Sequence, residues 1–155
     1  MERRQLNAVY RELDAKAQQL SELLHASFGY YNGHYHKGPS GDYEMDHYPI
    51  PVITMRGVCD IEVDLDGISV TAKLARADAL RFDFGKLAAY DFEVYGVENY
   101  LDDFRAEGDT MDVMLENIRE SKENAIFFSF CFPCEAAAAE IGKLVWLIQK
   151  EGFFY

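Results

Sequence analysis

The sequence predicts an α+β fold, an antiparallel sheet of about four to five strands with N-terminal, middle and C-terminal helices packed against it. Three observations predict it. Apolar residues recur at helical spacing near both ends of the chain. They alternate with polar residues at a period of two through the middle. The element order, helix, strands, helices, strand, helix, separates the two classes along the chain instead of interleaving them.

Leu6, Tyr10, Leu13, Ala17, Leu20 and Leu24 form one stripe at spacings of four and three. This predicts a long amphipathic helix over residues 3–28, stopped by Phe28 and Gly29. The stripe serves as core packing or as the seam of a homodimer. From Ile53 to Leu65 every second residue is apolar except Gly57, which predicts one half-buried strand bent at that glycine. Asp66-Gly67 reads as a two-residue hairpin turn. That turn would set Leu65 against Ile68, Val63 against Val70 and Ile61 against Ala72, with Asp60 facing Lys73 outside.

Leu80, Phe82 and Phe84 suggest a third strand, and Tyr90, Phe92 and Val94 a fourth. Val97, Tyr100, Leu101 and Phe104 return to helical spacing. Asp109-Thr110 offers a polar cap to a helix carrying Met111, Met114, Leu115 and Ile118. Ala125 to Phe132 reads as a buried strand. Pro133 then suits the first turn of a last helix, which carries Ala137, Ile141, Leu144, Val145 and Ile148 and closes at Gly152.

A length of 155 residues fits one domain, 1–155, with ample core material at 49% hydrophobic residues. The net charge is −12. It concentrates between Val58 and Asp112, which hold 14 acidic and 5 basic residues. Such a surface repels phosphate backbones and anionic lipid, so nucleic-acid and membrane roles are not expected. It suits solubility, or a protein partner with a basic surface. No apolar segment follows Arg3 and Arg4 as in a signal peptide, and AIFFSFCFPC falls short of the ~20 residues that span a bilayer. Three cysteines, an odd number, fit a reducing compartment. A cytoplasmic location is the expectation.

YPIP at 48–51, YGVENYLDDF at 95–104 and the closing LVWLIQKEGFF resemble a family of small prokaryotic proteins of unknown function. The resemblance covers about the last two-thirds of the chain. It implies a one-domain α+β fold and no particular activity.

Two stretches could carry chemistry. Residues 29–49 contain five tyrosines, four glycines and three of the four histidines. The composition is that of a recognition loop, since tyrosine offers a large amphipathic contact area and restricts only two torsions. The candidate binding residues are Tyr30, Tyr31, His34, Tyr35, His36, Tyr43 and His47. The same stretch could serve only as structural cover. His34 and His36, with Asp42, Glu44, Asp46 and His47, could also hold a divalent ion, but a helical H-E-x-x-H arrangement is missing. No metal or cofactor is expected.

The second stretch is Cys131-Phe132-Pro133-Cys134. A strand runs into it and a helix is expected at the second cysteine, the local layout of thioredoxin-like enzymes. Only 24 residues follow Cys131, too few for the later strands of that fold. Two buried packing cysteines are the competing reading. Asp91 with Glu93, and Asp102 with Asp103, read as solvated surface. The functional expectation is an acidic protein-binding module, chaperone- or immunity-like, and more a binder than an enzyme. A small metal-dependent or thiol enzyme is the alternative.

Overall fold

A computed structural model describes residues 3–31, 35–37, 39, 43–45, 50–98, 103–106 and 108–155. Helix α1 spans Arg3–Leu24 and is followed by strand β1, Ser27–Tyr31. Strands β2, Tyr35–Lys37, and β3, Tyr43–Met45, pair with each other. Strands β4 (Ile50–Met55), β5 (Cys59–Asp64) and β6 (Gly67–Ala75) follow. Next come a short helix α2, Arg76–Ala79, a 3-10 turn at Phe84–Leu87 and strand β7, Asp91–Gly96. Helix α3 (Met111–Glu120), strand β8 (Ala125–Phe132) and helix α4 (Ala138–Lys150) complete the chain. The fold is α+β as expected, with six strands in the main sheet, in the order β1-β4-β5-β6-β8-β7, all pairs antiparallel.

The core lies on one face of this sheet. Ile61, Val70, Phe130 and Phe92 sit side by side across four strands, and all are buried. Phe84, Phe92, Phe128, Phe130 and Phe153 pack there as an aromatic cluster with ring centroids 5.3–6.4 Å apart. Leu13, Ala17 and Leu20 of α1 and Ile141, Leu144, Val145 and Ile148 of α4 belong to the same hydrophobic cluster. From Tyr10 to Leu24 the stripe on α1 packs inside the chain, where the helix lies against β1, β4, β5 and α4. Lys16 Nζ donates to the Ala136 carbonyl at 2.7 Å and ties α1 to the turn before α4.

Several expectations are corrected. Helix α1 stops at Leu24, four residues early, because His25 takes a left-handed φ of 51°. The Ala26 N–H then reaches the Ser21 carbonyl at 3.0 Å and the His25 N–H reaches the Glu22 carbonyl, closing the last turn from below. Phe28 and Gly29 belong to a strand. The single strand bent at Gly57 is two strands joined by a tight turn, with Gly57 at φ 79° and Met55 opposite Cys59. Three residues separate that pair, so odd positions face odd positions and the alternation runs through the reversal unbroken.

At the next hairpin the turn is Leu65-Asp66, with Asp64 opposite Gly67, Val63 opposite Ile68 and Ile61 opposite Val70. Leu65 is 42% exposed. Asp60 faces Thr71, not Lys73. Gly67 is a strand residue paired with Asp64, and the position requires glycine because a Cβ there would lie 2.7 Å from the Phe132 carbonyl oxygen of β8. The faces of the flanking residues are as expected, since the register differs by an even step.

No strand forms at Leu80–Phe84. Arg76 donates through its guanidinium to the Ile118 and Arg119 carbonyls that end α3, and Asp83 Oδ1 accepts the Gly85 N–H at 3.0 Å. These bonds hold the chain in turns that still bury Ala79, Phe84 and Leu87. Val97 and Phe104 are not helical. Phe104 is buried and Asp103 bridges Tyr95, while Tyr100, Leu101 and Asp102 lie outside the described residues. Thr110 caps α3 by accepting the Val113 N–H. Helix α4 begins at Ala138, five residues after Pro133, so Ala137 is its exposed cap. Gly152, at φ 87°, closes it and turns Phe153 into the core.

Candidate functional site

The second face of the sheet carries the candidate site. Pairing places its residues in rows, because directly opposite residues share a face. One row reads Val52, Glu62, Ser69, Cys131 and Asp91 across β4, β5, β6, β8 and β7. The next reads Thr54, Asp60, Thr71, Ser129 and Glu93. A third sets Lys73, Phe127 and Tyr95 together. Ser69, Thr71 and Ser129, with the Cys131 thiol, thus make a floor two strands wide, with a pair of carboxylates on each side. Glu62, Asp91, Glu93 and Cys131 are exposed, and the other floor residues are half-buried. With ~4.8 Å between strands, the carboxylate walls stand ~14 Å apart.

One end of the floor is aromatic. Phe154 exchanges both backbone hydrogen bonds with Lys73, which brings Tyr155 across the face. The Lys73 ammonium lies 5.3 Å from the Phe127 and Tyr155 rings and 5.7 Å from Phe154, within cation–π range. Tyr95 packs on Phe127 at 5.3 Å.

The charge of the face is felt by every perturbed group on it. Tyr155 is raised above the ordinary tyrosine value by burial, by the charges of Asp60 and Glu62, and by its hydrogen bond to Asp60. Tyr95 is raised by burial and then by Glu93, among other neighbours. Burial, Glu93 and Asp91 likewise raise the Cys131 thiol. Oδ1 of Asp60 is buried with no hydrogen-bond partner among the described residues. The face is a region of negative potential that disfavours anions and favours cations.

A cleft of about 520 Å³ continues the face beyond β7, lined by Asp91, Glu93, Tyr95, Asp103 and Asp109. Arg105 is folded over the Phe92 ring at 4.4 Å and donates to the Phe92 carbonyl.

The two stretches singled out in the sequence fare differently. The 29–49 stretch is not a plain loop. Tyr30 and Tyr31 lie in β1, Tyr35 and His36 in β2, and Tyr43 in β3. The β2–β3 pairing is offset by one residue from the β1–β4 register and sets His36 opposite Glu44. Tyr30 is 49% exposed, packs edge-to-face on Phe28 at 5.1 Å, and is raised in pKa by desolvation and by hydrogen-bonded Asp14. His34, Asp42, Asp46 and His47 lie outside the described residues. Among the described residues, no three His, Cys, Asp or Glu side chains are grouped to hold a metal ion.

At the cysteine motif, Cys131 is exposed and not buried as the packing reading required. Cys134 sits in the turn before α4, half-buried, with Sγ 3.2 Å from the Asp64 carbonyl oxygen. Helix α4 starts four residues later, so its N-terminus does not bear on the thiol. Burial and the nearby Glu135, Asp64 and Asp66 raise Cys134 above the ordinary thiol value. An activated thiol requires the opposite shift. Sequence reasoning placed Asp91 and Glu93 on the surface but missed that they share a face with Asp60 and Glu62. The alternation in each strand held that signal. The strand order that joins them did not appear in it.

The described helices include none long and apolar enough to cross a membrane. A solved structure of a conserved hypothetical protein from Pyrococcus furiosus is similar in fold, with a TM-score of 0.68 and 19% sequence identity. The match covers 94% of this chain and 93% of that one. It accords with the resemblance to small prokaryotic proteins of unknown function. No protein-family model and no curated protein matches the chain.

Proposed function

We propose that this chain is a protein-binding module whose partner presents a basic surface, working as chaperones and immunity proteins do and not by catalysis. One observation carries the reading. Asp60 and Glu62 on one side, and Asp91 and Glu93 on the other, flank a floor of Ser69, Thr71, Ser129 and Cys131 on the polar face of the sheet. A cationic partner would relieve the mutual repulsion of these carboxylates, which gives both orientation and a fast encounter. The raised thiols weigh against the thiol-enzyme alternative.

The test is affinity capture from the native host with wild type and with Glu62→Lys/Glu93→Lys. A partner of basic surface is expected with wild type and absent with the double variant, whose melting temperature should match wild type. Equal recovery on both baits would overturn the assignment of this face.

Tyr30 favours a second reading, because a half-exposed tyrosine on a margin strand suits recognition. Alanine at Tyr30, Tyr31, Tyr35 and Tyr43, and at His34, His36 and His47, should then weaken capture and leave melting unchanged. Loss of stability in each variant would make the stretch structural.

A further inference from the structure

Strand backbones at the margins of the main sheet are covered in two places. Along β7, the Val94 carbonyl accepts the Phe104 N–H at 2.9 Å and the Phe92 carbonyl accepts the Arg105 guanidinium at 3.3 Å. Where β6 runs past the start of β5, Lys73 exchanges bonds with Phe154 at 2.6 and 2.9 Å. At the other margin, β1 pairs with β4 alone among the described residues. Its sequence, SFGYY, has no charge and no proline, the devices that usually blunt such an edge.

We infer that β1 is the seam of a homodimer, in which two copies pair β1 against β1 antiparallel about a two-fold axis and join their six-stranded sheets into one. Charge selects this margin. Each copy carries −12, so two copies repel across the carboxylate face, whereas β1 itself is neutral. The strand is also self-complementary, as an isologous interface requires. A two-fold at Gly29, its central residue, sets Phe28 opposite the second copy's Tyr30, and Tyr30 opposite the second copy's Phe28. The edge-to-face pair within one chain becomes a cluster of four rings, two of them now half-exposed tyrosines. Gly29 fits this role. A Cβ there would meet nothing within 4 Å among the described residues, so the middle of the seam carries no side chain that packing within the chain has already claimed. The inference stands apart from the basic-partner reading, since it uses neither the carboxylates nor the floor.

Light scattering on the full chain in a dilution series tests it. Wild type should approach twice the chain mass of 17.7 kDa at the concentrated end. Tyr30→Lys, which keeps a partner for Asp14 but places two lysines at the seam, should remain monomeric throughout with an unchanged circular dichroism melt. Trp146→Lys, at a side chain 75% exposed on α4, should leave the dimer intact. Backbone amide exchange adds a reading free of substitutions: the amides of residues 27–31 should gain protection as wild-type concentration rises. A monomer across the whole series, concentration-independent exchange in β1, or a dimer broken by Trp146→Lys and not by Tyr30→Lys would overturn the inference.

Discussion

The two faces of the main sheet are made by the same strands, one residue apart, and they differ in nearly every physical property. Inward, Ile61, Val70, Phe130 and Phe92 lie in one row, at 4% exposure or less. Outward, the neighbouring row of Asp60, Thr71, Ser129 and Glu93 is polar, charged at both ends, and half-buried except at the exposed Glu93. The inward row commits the chain to its fold. The outward row is only partly buried, so a substitution there disturbs packing less. A substitution should therefore change character when moved by a single position.

The largest contrast is expected between Val63 and Glu62. Val63 is fully buried, and Val63→Asp would bury an uncompensated charge at a cost of about 3–5 kcal/mol. Glu62→Gln should stay within about 0.5 kcal/mol of wild type. Equal costs in urea denaturation would break the comparison.

Phe128 and Phe127 make the same test with one side-chain type. Phe128→Ala removes a fully buried ring that touches Phe84, Phe92, Phe130 and Phe153, for about 3–5 kcal/mol. Phe127→Ala, half-buried outside, should cost less than half as much. Chemical denaturation with matched slopes checks the pair.

Gly67→Ala is expected to cost more than ~1 kcal/mol, because the new methyl group meets the Phe132 carbonyl oxygen at 2.7 Å. The loss should appear as a lower melting temperature. An unchanged melt would mean that β6 and β8 can separate there without penalty.

The thiols divide by face as well. Burial, then Asp60, pushes the Cys59 thiol up to about 12, so it should ignore thiol reagents at neutral pH until the chain unfolds. Cys131 is exposed and should react, but slowly, because partial burial of the sulfur, then Glu93 and Asp91, oppose its thiolate. Glu93→Gln should speed that reaction. Cys59 also sets a pH dependence. Below the ordinary thiol pKa of ~8.5 both folded and unfolded chains keep the proton, and stability is unaffected. Above it the unfolded chain releases the proton first, so this contribution to stability falls until about pH 12. Cys59→Ala should flatten that part of the alkaline slope.

The smallest effect is expected at Trp146→Ala, within about 0.5 kcal/mol, since the side chain is exposed on α4.

Much of this fold was legible in the residue pattern. Strand β8 was read at Ala125 to Phe132, and α3 with its Thr110 cap and the Gly152 stop were read at the right places. The in-or-out assignment along β5 and β6 also held. These features depend on periodicity and on local capping, which a few neighbouring residues determine. Two of the errors share one cause. The reversal at Gly57 and the shift of the turn to Leu65-Asp66 both preserve parity, and parity was the only evidence available. The strand expected at Leu80–Phe84 lost to a side chain, Arg76, that reaches the end of a helix more than forty residues away.

Alternation along each strand by itself determined that this chain would have one apolar and one acidic face. Which carboxylates stand together was decided only in the tertiary structure. Strands β5 and β7 lie almost thirty residues apart in the chain, and β8, which joins the sheet between β6 and β7, comes later than both. Strand order depends on long-range pairing and on the burial of Phe128 and Phe130 in the middle of the sheet. No local pattern near Asp60 or Glu93 records that strand order.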